Sequence, residues 1–157
     1  MTKIAMWSGP RNISTTLMRA FGSRPDTFVS DEPFYAHYLY KTGKKHPLRE
    51  NIIRNYEINW KVIVKNITGK IPNGKQVWYQ KHMSQHNLPG DDLGWIKKMQ
   101  NVFLIRNPRD VILSYIKKGD LTSIDQLGYP QQITLFNMMK NNRKVNPYII
   151  DACDVLN

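Results

Sequence analysis

Lys3-Ile4-Ala5-Met6-Trp7-Ser8-Gly9-Pro10-Arg11-Asn12-Ile13-Ser14-Thr15-Thr16-Leu17-Met18 is the stretch that decides the fold. Lys3 to Trp7 has strand length and ends at a Gly-Pro pair. From Ser14 to Gly22, Leu17, Met18 and Phe21 recur at helical spacing. A strand, a tight loop and a helix start leave unpaired helix N–H groups above the strand end, where an anion is stabilised. Against the phosphate-cradling pattern G-x-x-x-x-G-K-[ST], Gly9 and Thr16 fit, while Ser14 and Thr15 stand where the second Gly and the Lys belong. That Lys neutralises the β- and γ-phosphates of a nucleoside triphosphate, and Arg11 is the available replacement cation. The loop therefore predicts an anion site unlike that of an ATPase. It also suits an ordinary strand-to-helix turn capped by Ser14.

Outward from the loop, short apolar runs alternate with helical patterns, the mark of a parallel sheet covered by helices. A second strand is expected at Thr27 to Ser30, after the breaker Ser23-Arg24-Pro25-Asp26. Phe34 to Lys70 reads as mostly helical, interrupted over Lys41 to Pro47. The turn Pro72-Asn73-Gly74 leads to a third strand, Gln76 to Gln80. Asn101 to Ile105 and Pro147 to Asp151 read as the fourth and fifth, with helices at Pro108 to Lys118 and Pro130 to Lys144 between them. The expectation is one α/β domain over residues 1–157, a five-stranded, mostly parallel sheet of P-loop type flanked by helices. In such sheets ligands bind beyond the carboxyl ends of the strands.

Lys and Arg number 23 against 12 Asp and Glu in 157 residues, a net charge of +11. That balance predicts an anionic partner. With 41% hydrophobic residues the composition is globular rather than disordered. No apolar run is long enough for a membrane span, and the first residues lack a signal-peptide core, so a cytoplasmic domain is expected. The single cysteine, Cys153, excludes an internal disulfide framework and a Cys-based zinc site. A nucleic-acid module would suit the charge and Trp60, Trp78 and Trp95, but no basic-aromatic recognition motif is present.

A second candidate lies at the fourth strand. Val102-Phe103-Leu104-Ile105 stops at Arg106; Asn107 is a good N-cap, Pro108 suits the first helical position and Asp110 the first turn. Arg106 thus falls at a strand's carboxyl end, with Arg109 in the first turn and Ser114 about two turns along. A guanidinium and a hydroxyl can hold a phosphate in fixed geometry. The same residues would also serve as a surface ion pair and a filler.

Leu104-Ile105-Arg106-Asn107-Pro108-Arg109-Asp110-Val111-Ile112-Leu113-Ser114 resembles the 3′-phosphate-binding segment of the sulfotransferase superfamily, an Arg followed eight residues later by a Ser with Asn-Pro-(Arg/Lys)-Asp-Val between. The first loop is similar to that family's 5′-phosphosulfate loop, with Pro10, Arg11, Ser14 and Thr15 at matching positions. Ser30-Asp31-Glu32-Pro33-Phe34 resembles the Glu-Pro-Phe stretch after the second strand. The resemblance covers residues 3 to 118, and more weakly the Gln131-Gln132 helix and the last strand. It implies transfer of a sulfuryl group from 3′-phosphoadenosine 5′-phosphosulfate to a hydroxyl or amine of a small-molecule acceptor, without a bound metal. Gly9, Pro10, Arg11, Asn12, Ser14, Thr15 and Thr16 would hold the phosphosulfate end of the donor. Arg106 and Ser114 would hold its 3′-phosphate. A kinase-like or catalytically inactive nucleotide-binding domain is the competing reading.

An acceptor hydroxyl needs a base. Glu32, after the second strand, corresponds to a glutamate some members are thought to use. His82, in Gln80-Lys81-His82-Met83, resembles the Lys-x-His-Leu stretch of cytosolic sulfotransferases, with Gln80 where that pattern has Lys. Lys81 offers a cation from the next position, on the opposite sheet face. Glu32 and His82 are both expected in the site, beside Arg11. His82 and His86 have the spacing of a metal pair, but no third ligand is evident. The basic stretches Lys41 to Lys45 and Lys61 to Lys70 read as solvated faces or as a mouth for an acidic acceptor. Ile13 stands where the family's loop commonly has Gly; a β-branched residue resists φ > 0, so the backbone is expected not to follow a Gly-dependent path there. The loop Gly-Pro-Arg-Asn-Ile-Ser-Thr is similar to that of a bacterial subset related to a domain found beside aminotransferase-like proteins. Typical members continue past the fifth strand with a helix and a basic segment, which the chain is expected to lack.

Overall fold

The apolar run at the start of the chain forms β1 (Thr2–Ser8) and occupies the centre of the sheet. The structure, a computed structural model, describes residues 1–117, 119, 121–141 and 147–156. Around β1 lie β2 (Thr27–Asp31), β3 (Val77–Met83), β4 (Gln100–Ile105) and β5 (Tyr148–Asp151), in the order β2-β3-β1-β4-β5. Every neighbouring pair is parallel, so the sheet is all-parallel where a mostly parallel one was expected. Helices α1 (Ser14–Gly22), α2 (Tyr35–Thr42), α3 (Arg49–Asn55), α4 (Trp60–Thr68), α5 (Pro108–Ile116), α6 (Tyr129–Lys140) and α7 (Ala152–Leu156) flank it. The expected helix ends at Lys118 and Lys144 lie outside the described residues. The residues directly after the fifth strand form the short helix α7.

Both faces of the sheet are covered, and the period of two along β1 divides the core. Ala5 and Trp7 point to one side, where they pack with Phe34, Ile63, Ile67, Trp95, Phe103 and Leu135 beneath α4 and α6. Met6 points to the other, where it meets Met18, Tyr79, Val102 and Leu104 beneath α1, with Ala152 of α7. Three buried polar side chains here are paired, which offsets the cost of their burial. The Trp7 indole N–H donates to Asn101 Oδ1 at 3.0 Å, and the Asn101 amide donates to the Ile96 and Met99 carbonyls. Gln132 of α6 donates to the Trp7 and Leu104 carbonyls at 3.3 and 3.2 Å, tying that helix to the ends of β1 and β4.

The helix after β1, α1, packs on one face of the sheet, while α6, between β4 and β5, packs on the other, so the connections change faces between these two strands. In such sheets ligands bind outside the carboxyl ends of the strands at that point. Both candidate anion-binding segments begin there.

Candidate active site

Three residues far apart in sequence meet beyond the carboxyl ends of β1 and β4. The Arg11 Nε–H donates to Ser114 Oγ at 2.8 Å, and an Arg106 Nη1–H donates to the Arg11 carbonyl at 3.1 Å. Arg11 comes from the loop after β1, Arg106 from the end of β4, and Ser114 from α5. The start of α5 is built as its sequence dictates: the Asn107 side chain accepts from the Arg109 N–H, Pro108 begins the helix and Asp110 lies in the first turn.

The loop after β1 is held by its own residues. Asn12 is buried and donates to the Gly9 carbonyl at 3.1 Å, bracing the turn from inside. Gly9 is required by space: a Cβ there would stand 2.2 Å from the Leu127 carbonyl oxygen. Arg11 and Ile13 both have positive φ, 63° and 53°. The expectation for Ile13 is therefore corrected, because this β-branched residue does take the left-handed conformation that Gly favours. Such a residue costs about 1–2 kcal/mol, and packing of its side chain against the core cluster beneath α1 helps offset that. The alternative of an ordinary turn capped by Ser14 is corrected as well. Ile13 is the N-cap and has no side-chain capping bond, while Ser14 is the first helical residue, with no acidic side chain in the first turn. The opening N–H groups of α1 thus lack a side-chain cap. Ser14 is buried; Thr15 and Thr16 are exposed beside them.

A second cluster gathers at the ends of β2 and β3. The buried Lys81 ammonium donates to Asp31 Oδ1 at 2.8 Å and to Glu32 Oε1 at 2.6 Å. Burial alone would lower its pKa, but the Glu32 and Asp31 carboxylates outweigh that and hold it above the ordinary lysine value. The other Glu32 oxygen, Oε2, is 3.9 Å from His86 Nε2. His86 stacks on both Tyr35 and Tyr38, with ring centroids 5.1 and 4.7 Å away. Glu32 also has positive φ, 45°; its N–H meets the Lys81 carbonyl, and its own carbonyl accepts from Tyr35 at the start of α2. Asp31, Glu32, Tyr35, Ile52 and Tyr56 line a cavity of about 350 Å³.

His82 lies elsewhere. It is 1% exposed, stacked on Trp7 at 4.6 Å and tilted against Phe34 and Trp95. The Gln80 amide donates to the Ile67 carbonyl, so its oxygen accepts from His82 Nε2–H at 3.2 Å. Burial pushes the His82 pKa down to about 3. Glu32 joins Lys81 on the cavity side, whereas His82 enters the aromatic core on the opposite face of β3. The basic stretches divide too: Lys41 and Lys61 line a cavity of about 640 Å³ beyond α2, with Asp91 and Asp92. Among the described residues, no group of three or more His, Cys, Asp or Glu is placed to hold a metal ion. No helix of the described residues is long and apolar enough to cross a membrane. The sequence offered no sign that His86 stands beside Glu32, because its spacing to His82 drew attention to a metal pair instead.

This fold defines an α/β protein with an all-parallel sheet of order β2-β3-β1-β4-β5 and an arginine-bearing loop after the central strand. The chain belongs to the sulfotransferase domain family, which it matches over residues 2–156. It is 33% identical over 152 residues to branched-chain-amino-acid aminotransferase-like protein 2 of Arabidopsis thaliana, covering 97% of this chain and 27% of that protein. It is also 33% identical over 149 residues to aminotransferase-like protein 1 of the same plant, covering 95% and 26% respectively. The chain thus spans about a quarter of the length of these relatives. Among solved structures, shikimate kinase from Bacteroides thetaiotaomicron superposes with a TM-score of 0.48 at 16% identity, over 96% of this chain and 86% of that one.

Proposed function

We propose that this domain transfers a sulfuryl group from 3′-phosphoadenosine 5′-phosphosulfate to a hydroxyl or amine acceptor. The supporting observation is the convergence of Arg11, Arg106 and Ser114 beside the uncapped start of α1. The donor carries phosphate at two ends of one nucleoside and needs two anion-holding groups a fixed distance apart. Arg11 and the N–H groups from Ser14 to Thr16 suit the phosphosulfate end. Arg106 and Ser114 suit the 3′-phosphate. Gly9, Pro10 and Asn12 shape the loop.

In the transfer the bond between sulfur and the bridging oxygen breaks, and its electron pair stays on the departing 5′-phosphate. Arg11 and the α1 N–H groups stabilise that developing charge. The acceptor oxygen or nitrogen forms the new bond to sulfur, and its proton passes to the Glu32 carboxylate. Glu32 is favoured over His82 as the base because it lines a cavity, whereas His82 is enclosed by aromatic rings.

Thermal unfolding with adenosine 3′,5′-bisphosphate, against AMP and ATP–magnesium, tests the donor site. At 100 times Kd a ligand stabilises the native state by about 2.7 kcal/mol, roughly 5–10 °C in a domain of this size. The bisphosphate should give this shift, AMP should not, and Arg106→Ala should remove it. Glu32→Gln should keep the shift and lose turnover by about 10²–10⁴-fold. An equal shift with AMP, or one indifferent to Arg106→Ala, would overturn the 3′-phosphate assignment. A shift with ATP–magnesium alone would favour a kinase-like nucleotide site.

A further inference from the structure

We infer that the acceptor is a neutral or cationic molecule with a flat or apolar body, and that Asp31 selects against anionic acceptors. The inference rests on the sulfuryl-transfer reading and concerns the cavity that Glu32 lines. That cavity, about 350 Å³, falls in the ordinary range for small-molecule sites. Its walls carry two carboxylates, Asp31 and Glu32, beside Tyr35, Ile52 and Tyr56, and no Lys or Arg side chain.

The charge there opposes that of the whole chain. Lys81 bonds both carboxylates from behind, so the three groups sum to −1 while the protein carries +11. Two neighbouring cations are already engaged. Arg49 pairs with Glu50 and donates to the Leu39 carbonyl, and Lys44 stands over the Tyr38 ring. Lys41 and Lys61 line the other cavity, beyond α2. An anionic acceptor would therefore meet two carboxylates whose counter-charge, Lys81, is already bonded to both. A hydroxyl on a neutral ring, or one on a molecule bearing an ammonium, meets aromatic walls and a carboxylate. The Asp31 side chain is half exposed, so it faces an incoming molecule while still bonded to Lys81. An acidic acceptor, which the basic stretches suggested, does not fit this geometry.

Three phenols of matched shape and different charge test the inference: tyramine, 4-ethylphenol and 4-hydroxyphenylacetate. Their binding to the protein is measured calorimetrically with and without adenosine 3′,5′-bisphosphate, and their sulfation is followed separately. Tyramine and 4-ethylphenol should bind more tightly than 4-hydroxyphenylacetate. Asp31→Asn should narrow the tyramine-to-4-hydroxyphenylacetate ratio by about threefold to tenfold, the effect of removing one charge at short range in a partly wet site. Ile52→Lys adds a cation to the same wall without touching Lys81 and should tighten the anion, which keeps the test valid if Asp31→Asn unfolds the protein. Equal binding of the anion and tyramine, or a ratio unmoved by both variants, would overturn the inference. Failure of the bisphosphate to bind would overturn the sulfuryl-transfer reading instead, and the charge order of the phenols is read independently of it.

Discussion

Gly9 and Ile13 mark how far single residues could be read. The strand, the loop and the importance of Gly9 were legible from the chain, but the reason for Gly9 was not. It is contact with a carbonyl more than a hundred residues away, and such packing leaves no local signal. Ile13 was misread for a related reason. Intrinsic conformational preference forbade positive φ, yet tertiary packing of its side chain carries the residue into it. Gly9→Ala tests the contact: the added methyl should force the loop from Leu127 and cost about 1–3 kcal/mol of stability. It should also weaken bisphosphate binding, because Arg11 moves with the loop. Urea unfolding and calorimetry read the two effects, and a variant as stable as the parent would show that the loop tolerates the methyl. Glu32 was legible as a candidate, whereas its partner Lys81 and neighbour His86 depend on how β2 and β3 end side by side.

At the scale of elements, α5 was read most completely, since its cap, first-turn Pro and acidic residue are all local signals. The end of β3 was read least well. Its alternation sends Lys81 and His82 to opposite faces, and only the folded sheet shows which face carries the cavity. That end also predicts how stability depends on pH. Burial holds His82 down to about 3, and His86 is lowered to about 3 by burial, then by His82, Lys81 and Lys44. Both are depressed below the ordinary histidine value of 6.5. Between these values the unfolded chain binds more protons than the native one, so stability is full above 6.5 and falls as pH drops toward 3. Each histidine contributes at most about 1.4 kcal/mol per pH unit. Melting temperatures from pH 7.5 to 4 should decline accordingly, and His82→Phe should flatten the slope. A flat profile for the parent protein would mean that these rings are not held neutral by burial.

For the whole molecule, the net charge of +11 and the local −1 around Lys81 make a prediction that neither segment makes alone. Bisphosphate affinity should fall several-fold between 0.05 and 0.5 M salt, because the screening length shrinks from roughly 14 Å to 4 Å. Affinity for 4-ethylphenol should hold steady over the same range. Equal salt dependence of the two would place both ligands in one field. The architecture itself was largely legible, since α/β alternation and strand count are carried by pattern. Strand order was not, because nothing local states that β1 lies between β3 and β4. That placement has a consequence for the birth of the protein. Thr2 pairs with Val77, and Ile4 with Gln100, so β1 leaves the ribosome well before either of its neighbours. Non-local pairing of this kind folds slowly and leaves apolar edges open meanwhile. Until β3 and β4 have been synthesised, Ala5, Met6 and Trp7 have no sheet to join, and the nascent chain must be kept from aggregating through the segment that later becomes its most protected.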